Sequence, residues 1–264
     1  MIHALDHIAV AARSPDAAAA GYELLLGRRA DRGSIQLANM RLELETANAS
    51  VPEGLSALAF AATDLDKAQR LLERRGLPGA RSGASGSLDI AATATHGVAV
   101  SLIERDPGAA ALSPSPLAAA AEPAAAVERL DHVVVRSPDP ERAIALYAGR
   151  LGLSLRLDRS EPAWGNRLMF FRCGNLIVEV AHDLKAGVGD GPDRLWGLSW
   201  RVPEISKAHA RLRAAGIDVS DIRTGRRPHT QVFTVKSHAA GVPTLVIGPD
   251  PRQIVLPSHP LADT

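Results

Sequence analysis

The sequence predicts an α+β protein in which four βαβββ modules form two similar halves by tandem duplication. The segment LDHIAV at residues 5–10 recurs as LDHVVV at residues 130–135, and each copy leads to a Ser-Pro-Asp turn, a helix with a tyrosine, and Leu-Gly. Short stretches in which apolar and polar residues alternate are typical of strands with one buried face. Repeats of this kind decide the architecture before any single motif does.

The first half contains two units of the order strand, helix, strands. Asp16 and Asp64 are predicted to cap the two helices, because a short oxygen-bearing side chain can accept the free N–H groups of a first turn. Gly27 is predicted to end the first helix. The predicted strands lie at residues 5–10, 40–45, 58–61 and 97–103, and the predicted helices at 16–26 and 64–75.

The second half repeats this order, with predicted strands at residues 130–135, 175–180 and 241–246. We expect the Ser-Pro-Asp triplets at residues 14–16 and 137–139 to occupy the same place in both halves, with Asp139 capping the second-half helix. Residues 107–126 are almost all Ala, Pro, Ser and Gly, which excludes a regular element. The predicted divisions are an N-terminal domain at residues 1–106 (modules 1–50 and 54–106), a linker at 107–128, a C-terminal domain at 129–250 (modules 129–183 and 194–250) and a tail at 251–264.

Composition excludes several classes of function. The chain has 264 residues, a net charge of +1 and 46% hydrophobic residues, so it favours neither nucleic acid nor an anionic membrane as a partner. The single cysteine, Cys173, allows no intrachain disulfide, which suits a reducing compartment. We therefore predict a cytoplasmic protein, with Cys173 interpreted as a small buried hydrophobe rather than a nucleophile.

A strand bearing histidine, a helix ending in Tyr and Leu-Gly, and a closing strand of the pattern apolar-Glu-apolar resemble the vicinal oxygen chelate superfamily. This is the group of glyoxalases, bleomycin-resistance proteins and extradiol dioxygenases, and the resemblance covers nearly the whole chain outside the linker. It implies two glyoxalase-like half-barrel domains, in which paired modules enclose a cleft. It also implies metal ligands on the first and last strands of the modules.

The resemblance places His132 and Glu179 at two of these ligand positions, with His7 and Glu43 as the second-ranked pair. Imidazole and carboxylate ligands suit Fe, Mn, Zn, Ni or Co, and open positions on such a metal would polarise a substrate oxygen. The remaining positions are occupied by residues that bind metals poorly, near Ala57, Ser101, Gly197 and Leu245. The metalloenzymes of the group use three or four protein ligands, so further ligands would have to come from His96, His209, His229 or His238.

Aromatic residues are concentrated in the second half, which favours it as the ligand-binding half. Arg167 is predicted to meet a substrate carboxylate, and Trp164 to form part of a lip over the cleft. The alternative for Phe170, Phe171 and Trp200 is that they fill the core. The basic run at residues 223–227 is interpreted as a solvated turn rather than an anion site. The predicted substrate-binding residues are Trp164, Asn166, Arg167, Phe171, Trp196 and Trp200.

Two functions follow from this sequence. The first is an enzyme that acts on a small oxygen-rich or aromatic metabolite, as a lyase, isomerase or dioxygenase, with His132 and Glu179 holding a divalent metal or transferring a proton. The second is a metal-free protein that binds a drug or metabolite, like the bleomycin-resistance proteins. Either function predicts a small-molecule ligand, and a homodimer is left open.

Overall fold

The computed structural model describes residues 1–83, 86–108, 113–119, 121–237 and 239–251, so most of the predicted tail lies outside it. The first half contains strands β1 (Ile2–Ala12), β2 (Ser34–Gln36), β3 (Arg41–Thr46), β4 (Gly54–Ala62), β5 (Ala80–Arg81), β6 (Leu88–Ile90) and β7 (Ala99–Glu104), with helices α1 (Pro15–Leu26) and α2 (Leu65–Arg74). The second half contains strands β8 (Arg129–Arg136), β9 (Ser154–Glu161), β10 (Asn166–Cys173), β11 (Leu176–Asp183), β12 (Arg194–Arg201), β13 (Arg223–Thr224), β14 (Thr230–Val235) and β15 (Thr244–Pro249), with helices α3 (Pro140–Ile144) and α4 (Ile205–Ala214). None of the helices in these ranges is long and apolar enough to span a membrane.

Each half forms one mixed sheet. The strand order is β2-β3-β1-β4-β7-β6-β5 in the first and β13-β14-β15-β12-β8-β11-β10-β9 in the second. The opening strands of two modules lie antiparallel at the centre, and each pairs in parallel with the closing strand of its own module. The structure thereby confirms the α+β class and the modular architecture, and it pairs the first module with the second and the third with the fourth.

The start of α1 differs from the prediction. Ser14, not Asp16, is the N-cap, and its side chain accepts the N–H of Ala17, while Asp16 lies in the first turn. In the second half the cap is Asp139, as predicted. Ser14 and Asp139 are separated by 125 residues, the same offset as the repeated histidines and tyrosines, whereas the two Ser-Pro-Asp triplets are offset by 123. The two triplets therefore occupy different places: the cap is the first residue of the triplet in one half and the last in the other. Both caps are possible because serine and aspartate can each cap a helix.

The helix that follows Asp139 departs from that of the first half. After α3, the chain continues as a π-helical segment (Ala145–Arg150), whereas α1 is regular throughout. Tyr147 in this segment is fully buried against Phe171, with ring centroids 5.4 Å apart, and Tyr22 is equally buried in the first half. The repeated tyrosines therefore anchor the helices to their sheets.

The described part of the linker runs along the first half. Ser115 donates its backbone N–H to the carbonyl of Gln36, and Arg29 donates to the carbonyl of Pro116. Near the end of the linker, Ala125, Ala126 and Val127 are buried, so both backbone hydrogen bonds and apolar groups hold it. Apart from an isolated bridge between Arg28 and Leu117, its described residues form no strand, and they form no helix. This agrees with the effect expected of dense prolines.

Burial also decides the chemistry of Cys173. The side chain lies in the core, and burial raises the pKa of its thiol from 9.0 to about 12. Because the thiolate is the reactive form, we expect a thiol reagent at about pH 8 to modify the folded chain about 10³-fold more slowly than the unfolded chain. Equal rates in the presence and absence of denaturant would show that the thiol is accessible.

Candidate active site

His132 follows a β-bulge in the centre of the second sheet. Ser199 on β12 lies opposite His132, but the next ladder pair skips Asp131, which is an extra residue on β8. The Nδ1 of His132 lies 3.0 Å from Oδ1 of Asp131. Bulges re-aim side chains, and this one lets neighbouring residues of β8 interact with each other. The first half supports the bulge, since Asn39 binds both the N–H and the carbonyl of Leu130.

Asp131 is held as a carboxylate. Burial acts to raise its pKa, but the hydrogen bonds and positive charges of His132 and Arg201 outweigh burial and lower the pKa to about 2. Arg201 Nη1 lies 3.0 Å from Oδ2. An ionised carboxylate at Nδ1 fixes the ring orientation of His132.

Glu179 completes a compact polar group. Its Oε2 lies 3.4 Å from Nε2 of His132, and both side chains are mostly buried. Ser199, which is also buried, places Oγ 2.8 Å from the same Nε2. On β10, the residue opposite Glu179 is Phe170, which adds apolar surface beside the carboxylate. An imidazole, a carboxylate and a hydroxyl therefore meet at one point on the sheet.

The ladder places Ser199 opposite His132, and Ala59 in the corresponding position opposite His7. The module positions expected near Gly197 and Ala57 lie two residues earlier on β12 and β4. The sequence did not predict Ser199 and Ala59 as partners, because spacing along the chain does not show the register of the central pairs.

The first half retains the same distances around its histidine, but its glutamate also forms an ion pair with an arginine. His7 lies 2.7 Å from Asp6 and 3.4 Å from Glu43. Glu43 is engaged by Arg41 at 2.7 Å and is 38% exposed, compared with 15% for the side chain of Glu179. Ala59 supplies no hydroxyl. The second half therefore has the better developed site.

The residues present do not complete the metal site that the resemblance implies. Among the described residues, no three His, Cys, Asp or Glu side chains are grouped so that they could hold a metal ion. His209 binds the carbonyl of Ser220 and packs edge-on against Phe233, away from His132. His238 lies outside the described residues. His132 and Glu179 are two donors where the resemblance implies three or four, so no step proposed below uses a metal.

Two of the predicted aromatic residues are accessible. Trp164 and Trp196 are each 41% exposed. The guanidinium of Arg136 lies 3.4 Å from the ring centroid of Trp196, and that of Arg226 lies 4.3 Å from the centroid of Trp164. Arg226 follows β13 and Trp164 follows β9, so this cation–π contact joins the two ends of the eight-stranded sheet across its concave face.

The structure places three of the other predicted substrate-binding residues away from this face. Arg167 forms ion pairs with Asp158 and with Glu141 on α3, on the helix-covered side of the sheet. Phe171 and Trp200 are fully buried in the core, which is the alternative that the sequence left open. Asn166 donates to the carbonyl of Trp164 and so supports the turn that carries that side chain.

A basic cavity beside His132 was not predicted. It has a volume of about 360 Å³, and Asp131 and Ile177 contribute to its wall. Ile177 lies opposite His132 and two residues before Glu179 on β11, so the cavity adjoins the polar group on the same face. Its arginines lie one each on five different segments of the chain, so no local sequence pattern signals the cavity. The arginines in its wall are Arg129, Arg156, Arg172, Arg201 and Arg227.

Paired βαβββ modules with a histidine on the first strand and a glutamate on the last define a protein of the vicinal oxygen chelate class. The sequence profile of the Glyoxalase/Bleomycin resistance protein/Dioxygenase superfamily matches residues 131–233. An ethylmalonyl-CoA/methylmalonyl-CoA epimerase of Cereibacter sphaeroides is 30% identical over 100 residues, which cover 35% of this chain and 75% of the epimerase. The chain belongs to this superfamily.

Solved structures extend the likeness to both halves. A halotolerant catechol dioxygenase matches with a TM-score of 0.65 and 13% identity, covering 94% of this chain and 87% of the other. The 2,2′,3-trihydroxybiphenyl 1,2-dioxygenase of Sphingomonas wittichii matches with a TM-score of 0.64 and 16% identity, covering 94% and 91%. A variant of 4-hydroxymandelate synthase from Streptomyces coelicolor matches with a TM-score of 0.67 and 13% identity, covering 94% and 93%. At these identities, the likeness shows the fold alone.

Proposed function

We propose that this chain is an enzyme that removes and returns a proton at a carbon next to a carbonyl group of a small, oxygen-rich metabolite. The observation that carries the proposal is the 3.4 Å approach of Glu179 Oε2 to His132 Nε2 in a mostly buried setting. The similarity to an epimerase supports it, since epimerisation next to a carbonyl requires such a proton transfer. The reaction class is therefore isomerase-like, with a lyase as the nearest variant.

In this proposal, Glu179 is the base. Its carboxylate faces the concave side of the sheet beside Phe170, where limited contact with water leaves it available to a substrate C–H. A general base in this position typically contributes about 10²–10⁴-fold to the rate. The proton returns from the same carboxylate, or from the opposite face by His132.

His132 stabilises the negative charge that develops on the carbonyl oxygen. The ionised Asp131 accepts a hydrogen bond from Nδ1 and holds the ring so that Nε2 is placed to donate a hydrogen bond to the enolate oxygen. Ser199 holds the same nitrogen before the substrate arrives.

The test is solvent hydrogen exchange, followed by NMR in D₂O with catalytic amounts of the full chain. The panel contains methylmalonyl-CoA, dihydroxyacetone phosphate, pyruvate and methylglyoxal, each with chelator and with added Mn²⁺, Co²⁺, Ni²⁺ or Zn²⁺. We expect deuterium incorporation next to the carbonyl of at least one compound. Exchange that persists in chelator supports the metal-free mechanism, and exchange only with an added metal would contradict it. No exchange above the solvent rate for any compound would refute the proposal.

The second candidate, a metal-free binding protein, is favoured by the exposure of Trp164 and Trp196 over the concave face. In that case the indole fluorescence would change on titration with a panel compound, while no exchange occurs. A small-molecule ligand is common to both candidates. The cytoplasmic location and a homodimer stay sequence predictions under either.

A further inference from the structure

We infer that the arginine-lined cavity holds the anionic end of the substrate, a small oxyanion such as a phosphate monoester or a second carboxylate. That this anion belongs to the substrate rests on the proposed function, but the anion site itself is supported by separate observations. Within the part of the chain that the structure describes, five arginines line a cavity of about 360 Å³, and Asp131 is the one acidic residue in its wall. Asp131 is already engaged by His132 and Arg201.

Most of these arginines lack a balancing charge. Within the described residues, the side chains of Arg129, Arg156 and Arg227 form no ion pair or hydrogen bond, and Arg172 donates to the carbonyl of Gly174. Arg129 and Arg201 lie directly opposite each other on β8 and β12, a placement in which like charges repel. An anion between them would turn this repulsion into attraction.

The repeated half shows that the fold does not require these arginines. The offset of 125 residues makes Ala4 the counterpart of Arg129, and the offset of 140 makes Ala61 the counterpart of Arg201. The ladder gives the same correspondence, because Ala59 and Ser199 lie opposite the repeated histidines. The arginines at these two positions are therefore specific to the second half.

The distance between the cavity and Glu179 limits the size of the substrate. Ile177 in its wall is two residues from Glu179 along β11, a distance of about 7 Å. An anion in the cavity and a reacting carbon at Glu179 are thus separated by only a few bonds. This spacing favours a small phosphorylated or dicarboxylic carbonyl compound over a long carrier thioester, whose phosphates lie far from its acyl group.

The experiment is calorimetric titration of the full chain with inorganic phosphate, malonate and CoA at low ionic strength. We expect phosphate or malonate to bind, and the tighter of the two identifies the oxyanion. Arg129→Ala should weaken that binding at least about tenfold, because Arg129 faces the cavity without a partner. Arg70→Ala, which removes an exposed arginine from α2 in the other half, is the control for charge and should bind as the unaltered chain does.

Three results would overturn the inference: no binding of either oxyanion, equal effects of the two substitutions, or tighter binding of CoA that depends on Arg129. Glu179→Gln separates this inference from the proposed function, since it should lose exchange and still bind the oxyanion. Oxyanion binding with no exchange on any compound would leave the anion site and refute the catalytic role. Exchange whose KM is unchanged by Arg129→Ala would support the catalytic role and refute the anion site.

Discussion

Glu179→Gln is expected to reduce solvent hydrogen exchange by about 10²–10⁴-fold, and Glu43→Gln is expected to leave it unchanged. The two glutamates occupy the same position in the two halves, and each lies 3.4 Å from the histidine of its own half. The substitution keeps the size of the side chain and removes the charge and the basic oxygen. The duplication thus provides a matched control within one chain.

The difference is expected because the two carboxylates have different surroundings. Glu43 is paired with Arg41 at 2.7 Å, and the residue opposite its histidine is Ala59, whereas Glu179 has no arginine partner within the described residues and belongs to a group with Ser199. The measurement is exchange on the best compound of the panel, with circular dichroism to confirm the fold of both variants. Equal losses would mean that both halves react, and an active Glu179→Gln variant would exclude this carboxylate as the base.

Trp200→Ala is expected to lower the free energy of unfolding by about 3–5 kcal/mol, the largest effect on stability among the residues first assigned to the binding site. The ring is fully buried, and removing it leaves a cavity in the core. Trp196→Ala, which removes an indole four residues earlier on the same strand, should cost far less because that ring is 41% exposed. Urea denaturation of the three proteins measures the difference.

Trp200→Phe refines this prediction. The Nε1 of Trp200 is buried and has no hydrogen-bond partner in the described part of the chain, so replacing indole by a phenyl ring removes no hydrogen bond. The loss should then reflect volume alone and be smaller than for alanine. If instead Trp200→Ala were as stable as the original chain and lost ligand binding, the binding role predicted from the sequence would stand.

The sequence was sufficient to predict the fold because the duplication can be recognised from the order of the residues alone. The repeated histidine strands, the alternation at residues 40–45 and the glycine that ends each helix require no knowledge of tertiary contacts. They predicted the module order, and the helix of the third module begins at its predicted cap. The start of α1 was predicted wrongly because two capping residues stand within three positions, and the structure places the cap at Ser14.

What the sequence by itself determined is the architecture of four modules and the identity of His132 and Glu179 as candidates. Only the tertiary structure decided that Ser199 faces His132, that Arg167, Phe171 and Trp200 lie away from the concave face, and that five arginines converge. The physical reason is that bulges change which residues face each other across strands, and ladder pairs join residues far apart in the chain. Local sequence patterns predict where a strand lies, but the pairing of strands decides which residues face each other.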